Sequence, residues 1–177
     1  MAANAVLIYP AIMKHQFRHS LFALLTVGIL AMPVQPARAI EFLSGQAVAV
    51  TGDSISIGAV GHAPETIRLW GIEAPDMADD RDYGLYARAA LDDLLRQHGA
   101  QVKCVLDGLD RSAAVCHAGS VDLAEAMLKT GWAVADRRVT LADVPGGDSE
   151  RSKRAAAYDE AESQARAARR GRWAKMP

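Results

Sequence analysis

The chain has 177 residues, with 20 lysines and arginines against 21 aspartates and glutamates. Its length suits one domain with its own core. Its formal net charge of −1 at pH 7 excludes a protein that coats nucleic acid through bulk positive charge. Any polyanionic ligand must therefore be held by a few local arginines.

The N-terminal segment has the features of a secretory signal peptide. Residues 1–39 contain three basic residues and no acidic one, and the apolar run 21–32 is shorter than the roughly 20 residues that a bilayer span needs. The run leads to A-R-A, a small-x-small pattern that predicts cleavage after Ala39 and a mature domain of residues 40–177. An uncleaved N-terminal anchor is the alternative, and Met13 is an alternative initiator.

A cleaved signal peptide predicts an exported protein, periplasmic or secreted, with no stable membrane association after cleavage. We expect a monomer whose mature part carries a charge of about −4, because 17 basic residues remain against 21 acidic ones. Cys104 and Cys116 flank the turn-rich segment DGLDR and can lie on the two arms of a hairpin. An oxidising compartment favours a disulfide between them, and two buried thiols are the alternative.

Hydrophobic alternation and turn residues predict short strands, and longer-period patterns predict helices. The strands are predicted at 46–51, 54–60, 66–70, 102–106 and 112–118, and the helices at 86–98, 121–130 and 149–170. Segment 77–82 has no periodicity and is predicted to be an exposed loop. A helix between the third and fourth of five short strands indicates an α+β fold that is mainly β barrel: a five-stranded OB-fold barrel with three helices.

The segment IRLWGIEAPD, residues 67–76, concentrates the chemistry of the chain. Alternation on the strand puts Arg68 on the face opposite Ile67, and the strand gives way to a turn at Gly71. Glu73 and Asp76 follow in that turn. An arginine on a strand beside two carboxylates suits a phosphate and a cation equally well.

Five segments in order resemble the thermonuclease-like (staphylococcal nuclease) domain. They are TGDSISI, IRLWGIEAPD, the cysteine-flanked DGLDR, LKTGWAVA and YDEAESQARAARRGRWA, and the resemblance covers nearly all of 45–174. It implies an OB-barrel enzyme that cleaves DNA and RNA phosphodiesters, often with calcium. The implied partner is a single-stranded or unstructured nucleic acid.

The resemblance also implies roles for individual residues. Asp53, in the first hairpin turn, and Glu73 fall on the family's calcium ligands, while Asp76 falls on its catalytic glutamate. Arg68 falls on the arginine of the third strand, and Arg111 falls on the last arginine of the D-R-Y-G-R motif. Calcium prefers such oxygen ligands, and paired arginines suit the charge that builds on a phosphate.

Several departures from the family pattern favour a second hypothesis for the function. The family's D-A-P-E is E-A-P-D here, Thr51 replaces an aspartate, and D-R-Y-G-R has become DGLDR. Two base-holding tyrosines of the family fall on Arg137 and Val139, so only Arg137 remains as a substrate-binding candidate, through its guanidinium plane. The alternative function is a catalytically impaired OB-fold binding module of the cell envelope.

Overall fold

A ring of five strands forms the centre of the computed structural model, which describes residues 41–58, 61, 63–106, 112–138 and 148–175. The strands are β1 (Glu41–Ala49), β2 (Ser54–Gly58), β3 (Glu65–Leu69), β4 (Ile72–Glu73), β5 (Gln101–Leu106), β6 (Ala113–Ala118), β7 (Val121–Asp122) and β8 (Val134–Ala135). The helices are α1 (Arg81–Gln97), α2 (Leu123–Thr130) and α3 (Asp148–Ala167), and a 3-10 helix (Gly171–Lys175) follows them.

The ring is built from β1, β2, β3, β5 and β6. Antiparallel pairings join β3 to β2, β2 to β1, β1 to β5 and β5 to β6. Parallel pairing between β3 and β6 then brings the last strand back to the third. With three helices outside the ring, this arrangement confirms the predicted α+β, nuclease-like fold.

The alternating strand residues fill the inside of the ring. Ile55 and Ile57 on β2 and Ile67 and Leu69 on β3 are at most 1% exposed. The apolar stripe of α1 covers the same core with buried leucines, including Leu91. This alternation puts the intervening side chains of β2 and β3 on the outer face, where Arg68 lies.

The starts of two elements differ from the sequence predictions by five residues each, and the other described boundaries differ by three residues or fewer. β1 begins at Glu41 rather than 46, because residues 41–46 pair with β5, a long-range contact with no local signal. α1 begins at Arg81 rather than 86, because the carboxylate of Asp80 caps the helix and accepts the backbone N–H of Tyr83. The last two residues of the predicted loop 77–82 therefore belong to the helix.

A disulfide joins the facing cysteines of β5 and β6. Cys104 and Cys116 are direct partners in the ladder, and both are almost completely buried. The bond links two strands that are antiparallel neighbours in the sheet. It therefore holds against β5 the strand whose first two residues pair with β3, where the ring closes.

Two glycines allow the end of α2 to touch the 3-10 helix. Gly131 and Gly171 both have positive φ angles, and a Cβ on Gly131 would lie 2.4 Å from the carbonyl oxygen of Arg170. We expect Gly131→Ala to lower the free energy of unfolding by about 1–3 kcal/mol, through backbone strain and this clash. Chemical denaturation would measure it, with Gly99→Ala as a control that has the same backbone strain but open space around its Cβ.

Some predictions concern residues outside the described part of the chain. These are the signal peptide of residues 1–39 and the turn that contains Arg111. Within the described ranges, no helix combines the length and apolar character that crossing a bilayer requires.

Candidate active site

A surface cleft of about 860 Å³ gathers charged side chains from separate parts of the chain. Its described lining residues are Thr51, Asp53, Ser54, Arg68, Glu73, Ala74, Pro75, Asp76, Asp79, Asp80, Tyr83, Val134, Arg138 and Arg172. Asp53, Arg68, Glu73 and Asp76 were selected from the sequence, and all four line this one cleft. The turn between β1 and β2, strand β3 and the segment after it supply them.

The turn between β1 and β2 holds Asp53 by hydrogen bonds. Its Oδ1 accepts the hydroxyls of Thr51 at 2.7 Å and of Ser54 at 3.1 Å, and its Oδ2 receives a long contact of 3.5 Å from the backbone N–H of Ala74. Thr51 thus orients the carboxylate instead of adding a negative charge. Oδ2 keeps most of its capacity to accept a cation or a donor.

Arg68 is positioned by the closure of the ring. It pairs with Ser54 across β2 and with Ala113 across β6, and its backbone N–H donates to the carbonyl of Ser112 at 2.9 Å. The side chain points outward from the ring and is 52% exposed. Its Nη2 lies 3.9 Å from an oxygen of Asp136, and no contact with another described residue occupies the other guanidinium donors.

Glu73 reaches the cleft from a two-stranded bridge between β4 and β8. Glu73 pairs with Val134, and the backbone N–H of Asp136 donates to the carbonyl of Gly71 at 2.9 Å. The bridge brings the segment after α2 alongside the IEAPD turn. As a result Glu73 Oε2 accepts a hydrogen bond of 2.7 Å from Arg138 Nη2.

Asp76 opens the turn that leads into α1. Its Oδ1 accepts the backbone N–H of Ala78 at 2.9 Å, and its carbonyl accepts the N–H groups of Asp79 and Asp80. These bonds hold the exposed carboxylate at the cleft rim through one oxygen. Among the described contacts, the second oxygen, Oδ2, accepts no hydrogen bond.

Asp136 and Arg138 are charged residues that the sequence reasoning did not select. Arg138 Nε and Nη2 donate to Asp136 at 3.0 and 3.3 Å, and the Asp136 side chain is only 5% exposed. The hydrogen bond from Arg138 lowers the pKa of Asp136 against the opposing effect of burial, and the charge of Arg68 contributes in the same direction. Asp136 therefore stays ionised and anchors both arginines.

Arg137 lies on a different surface from Arg138. Its Nη2 lies 3.3 Å from Asp159 and 3.7 Å from Glu162, both on α3, and it is not among the residues lining the cleft. Both arginines lie in the turn that follows β8, so strand alternation does not reveal that they face different surfaces. The substrate-binding role of Arg137 stays a prediction. The catalytic role of Arg111, which is outside the described residues, also stays a prediction.

The chemistry of the cleft is that of a site for both a phosphate and a cation. Five carboxylates and three guanidiniums line it in the described ranges, so its net charge is negative. Within those ranges, no three His, Cys, Asp or Glu side chains are grouped as a ready metal cage. One or two carboxylates of the cleft could contact a hard cation, whose other ligands can be carbonyl groups, waters or substrate oxygens.

Comparison with known proteins gives one match and one negative result. No curated protein matches the sequence significantly. A family model described as "Staphylococcal nuclease homologue" matches residues 66–175, which include β3, Glu73, Asp76 and all three helices. That match covers more than half of the chain, and the five-stranded ring agrees with it. The chain therefore belongs to the staphylococcal nuclease homologue family.

Proposed function

We propose that this protein is an exported phosphodiesterase that hydrolyses single-stranded or unstructured nucleic acid with calcium as its cofactor. The observation that carries the proposal is the meeting of Asp53, Arg68, Glu73 and Asp76 in one cleft. These residues come from two turns and two strands, and together they provide the positive and negative groups that phosphodiester hydrolysis needs. Membership of a nuclease family supports the same reaction class.

The negative charge of the cleft supports a cation requirement. A nucleic-acid strand brings further negative charge, which five carboxylates would repel if only three arginines opposed them. Asp53 and Glu73 would hold calcium through Oδ2 and Oε1, the oxygens that lack a close hydrogen bond among the described contacts. Calcium accepts six to eight oxygen ligands, and waters can complete a site with two carboxylates.

The residues of the chain perform distinct parts of the reaction. Bound calcium would supply a Lewis acid that polarises a phosphate oxygen. Arg68 would donate two hydrogen bonds to the phosphate and stabilise the charge that develops on its oxygens, with Arg111 as its partner. A planar guanidinium suits this task because its paired donors match two oxygens of one phosphate.

Asp76 would act on the attacking water. Its Oδ1 is held by the Ala78 N–H, so Oδ2 can accept a proton while the carboxylate stays oriented. The water oxygen forms the new bond to phosphorus as the bond to the leaving sugar oxygen breaks. That oxygen takes a proton from solvent, and the products are one phosphate monoester and one free hydroxyl group.

Export is proposed on two features. The first 39 residues have the sequence pattern of a signal peptide. The buried Cys104–Cys116 disulfide suits an oxidising compartment such as the periplasm or the medium.

Calcium-dependent cleavage is the experiment that tests the proposed function. We expect purified protein to cut single-stranded DNA and RNA in the presence of calcium, with a rate that falls on the order of 10²-fold when the ion is chelated. Asp53→Asn should raise the calcium concentration needed for half-maximal activity. Asp92→Asn, which removes an exposed carboxylate on α1 away from the cleft, is the matched control.

Two outcomes would contradict the proposal in different ways. Equal cleavage with calcium and with chelator would remove calcium from the mechanism and leave the phosphodiesterase assignment standing. Absence of cleavage in both conditions would overturn the catalytic assignment. In that case the chain would be a binding module, and the pairing of Glu73 with Arg138 would be a structural ion pair.

A further inference from the structure

The guanidinium of Arg138 is held by ion pairs at two of its nitrogens, Nε and Nη2, but not at the third, Nη1. Its Nε and Nη2 donate to the buried carboxylate of Asp136, while Nη2 also donates to the exposed carboxylate of Glu73 at 2.7 Å. The Arg138 side chain is 73% exposed, and it lines the cleft. Nη1 takes part in neither ion pair, so the guanidinium presents a donor to the cleft.

The same buried carboxylate serves two arginines. Asp136 Oδ2 lies 3.3 Å from Arg138 Nη2 and 3.9 Å from Arg68 Nη2. Both guanidiniums are therefore held on one wall of the cleft. Arg138 follows β8 and Arg68 lies on β3, so residues 70 positions apart meet there.

We propose that Arg138 is a second substrate-binding arginine, which contacts a phosphate of the bound strand, and that Asp136 is its positioning residue. This inference deepens the proposed function, on which it rests for the identity of the ligand. Arg138 and Glu73 form an exposed ion pair, and such pairs contribute little stability. An entering phosphate can therefore take the place of Glu73 on Nη2 and add a contact to Nη1.

The pair with Asp136 persists because it is the more buried of the two contacts. The 5% exposed carboxylate remains charged beside Arg138 and would be left unpaired if the arginine moved away. Arg138 therefore loses little side-chain conformational entropy when it binds substrate. A pre-oriented guanidinium gains more from each phosphate contact than a freely rotating one.

The test separates binding from cleavage. Binding of a fluorescein-labelled oligothymidine is measured by fluorescence anisotropy in calcium at several salt concentrations. Every protein carries Asp76→Asn to prevent the proposed cleavage, and gel electrophoresis checks that the oligonucleotide stays intact. One phosphate contact to a single strand contributes about 0.7 to the slope of log affinity against log salt.

We expect Arg138→Gln to weaken binding on the order of tenfold and to reduce that slope by about 0.7. The matched control is Arg96→Gln, which removes an equally charged, 68% exposed arginine that also pairs with two carboxylates but lies on α1 outside the cleft. It should change the affinity by less than twofold and leave the slope unchanged. Arg138→Lys should restore the slope but only part of the affinity, because an ammonium lacks the planar fork.

Asp136→Asn distinguishes positioning from bulk charge. Removal of a negative charge from a cleft that binds a polyanion should tighten binding if charge alone matters. A positioning role predicts weaker binding instead, and thermal melting would show whether this buried variant is folded. If it is not folded, the Arg138 variants decide the question alone.

Several results would overturn the inference. One is a salt slope for Arg138→Gln equal to that for Arg96→Gln. Another is a slope that falls by about 0.7 in Arg137→Gln and not in Arg138→Gln. The third is failure of the parent protein to bind the oligonucleotide. Failure of the proposed function has a different signature. A protein with intact Asp76 that binds through Arg138 but cuts nothing would remove the enzyme assignment and retain this binding residue.

Discussion

Replacement of Arg68 by alanine is expected to lower the rate of single-stranded DNA cleavage by about 10²- to 10³-fold. The guanidinium lies on the cleft wall, close to the turn that carries Glu73 and Asp76. Its hydrogen bonds to phosphate oxygens should strengthen as negative charge builds in the transition state. The loss should therefore fall mainly on kcat, because the part of an interaction that is gained only in the transition state does not contribute to substrate affinity.

The fold should survive this substitution. Arg68 is half exposed, and its described side-chain contact is a long ion pair of 3.9 Å with Asp136. We expect a melting temperature within a few degrees of the parent, since surface changes of this kind alter stability by about 0.5 kcal/mol or less. The β2–β3–β6 ladder uses the backbone of Arg68, which alanine retains.

Two controls make the result specific. Arg68→Lys keeps the charge but not the planar pair of donors, so its rate should fall between the parent and the alanine variant. Arg96→Ala removes an arginine of α1 that does not line the cleft and should leave the rate unchanged. An Arg68→Ala protein that cleaves within threefold of the parent would show that the activity comes from another site or another protein.

The fold was predictable where the signal is local. Alternating isoleucines and leucines specify the inner face of β2 and β3, and turn residues specify where these strands end. The start of β1 was missed because its first residues have no pattern of their own and become a strand through pairing with β5. The start of α1 was missed for a different reason: the polar run contains its capping residue, Asp80.

The candidate site was predictable to the extent that its residues belong to one contiguous segment. Arg68, Glu73 and Asp76 lie within nine residues, so any turn after β3 keeps them near one another. Asp136 and Arg138 reach them through the β4–β8 bridge, whose strands have two residues each. Two residues are too few to show hydrophobic alternation, so the sequence pattern does not predict that these strands pair.

Loss of the Cys104–Cys116 disulfide is expected to lower the free energy of unfolding by about 3 kcal/mol. The cysteines are 12 residues apart, so the bond removes the closure entropy of a short loop from the unfolded chain. For a domain of this size we expect the melting temperature of a Cys104→Ala/Cys116→Ala protein to fall by about 10 °C. Calorimetry at neutral pH would measure it.

Part of that loss would come from packing rather than from the cross-link. Both sulfur atoms lie in the core, so alanine leaves a small cavity in addition to removing the bond. Reduction of the parent with dithiothreitol removes the bond and keeps the atoms. The fall in melting temperature on reduction, compared with the fall in the double variant, therefore divides the cost between the two causes.

The double variant is its own control for the reagent, because dithiothreitol should not shift its melting temperature. A parent that melts at the same temperature with and without reductant would contradict the prediction and show that β5 and β6 are held by the ladder alone. The disulfide also bears on the cleft, since β6 pairs with Arg68 at Ala113. If the bond keeps that strand end in place, reduction should lower the cleavage rate at temperatures well below melting.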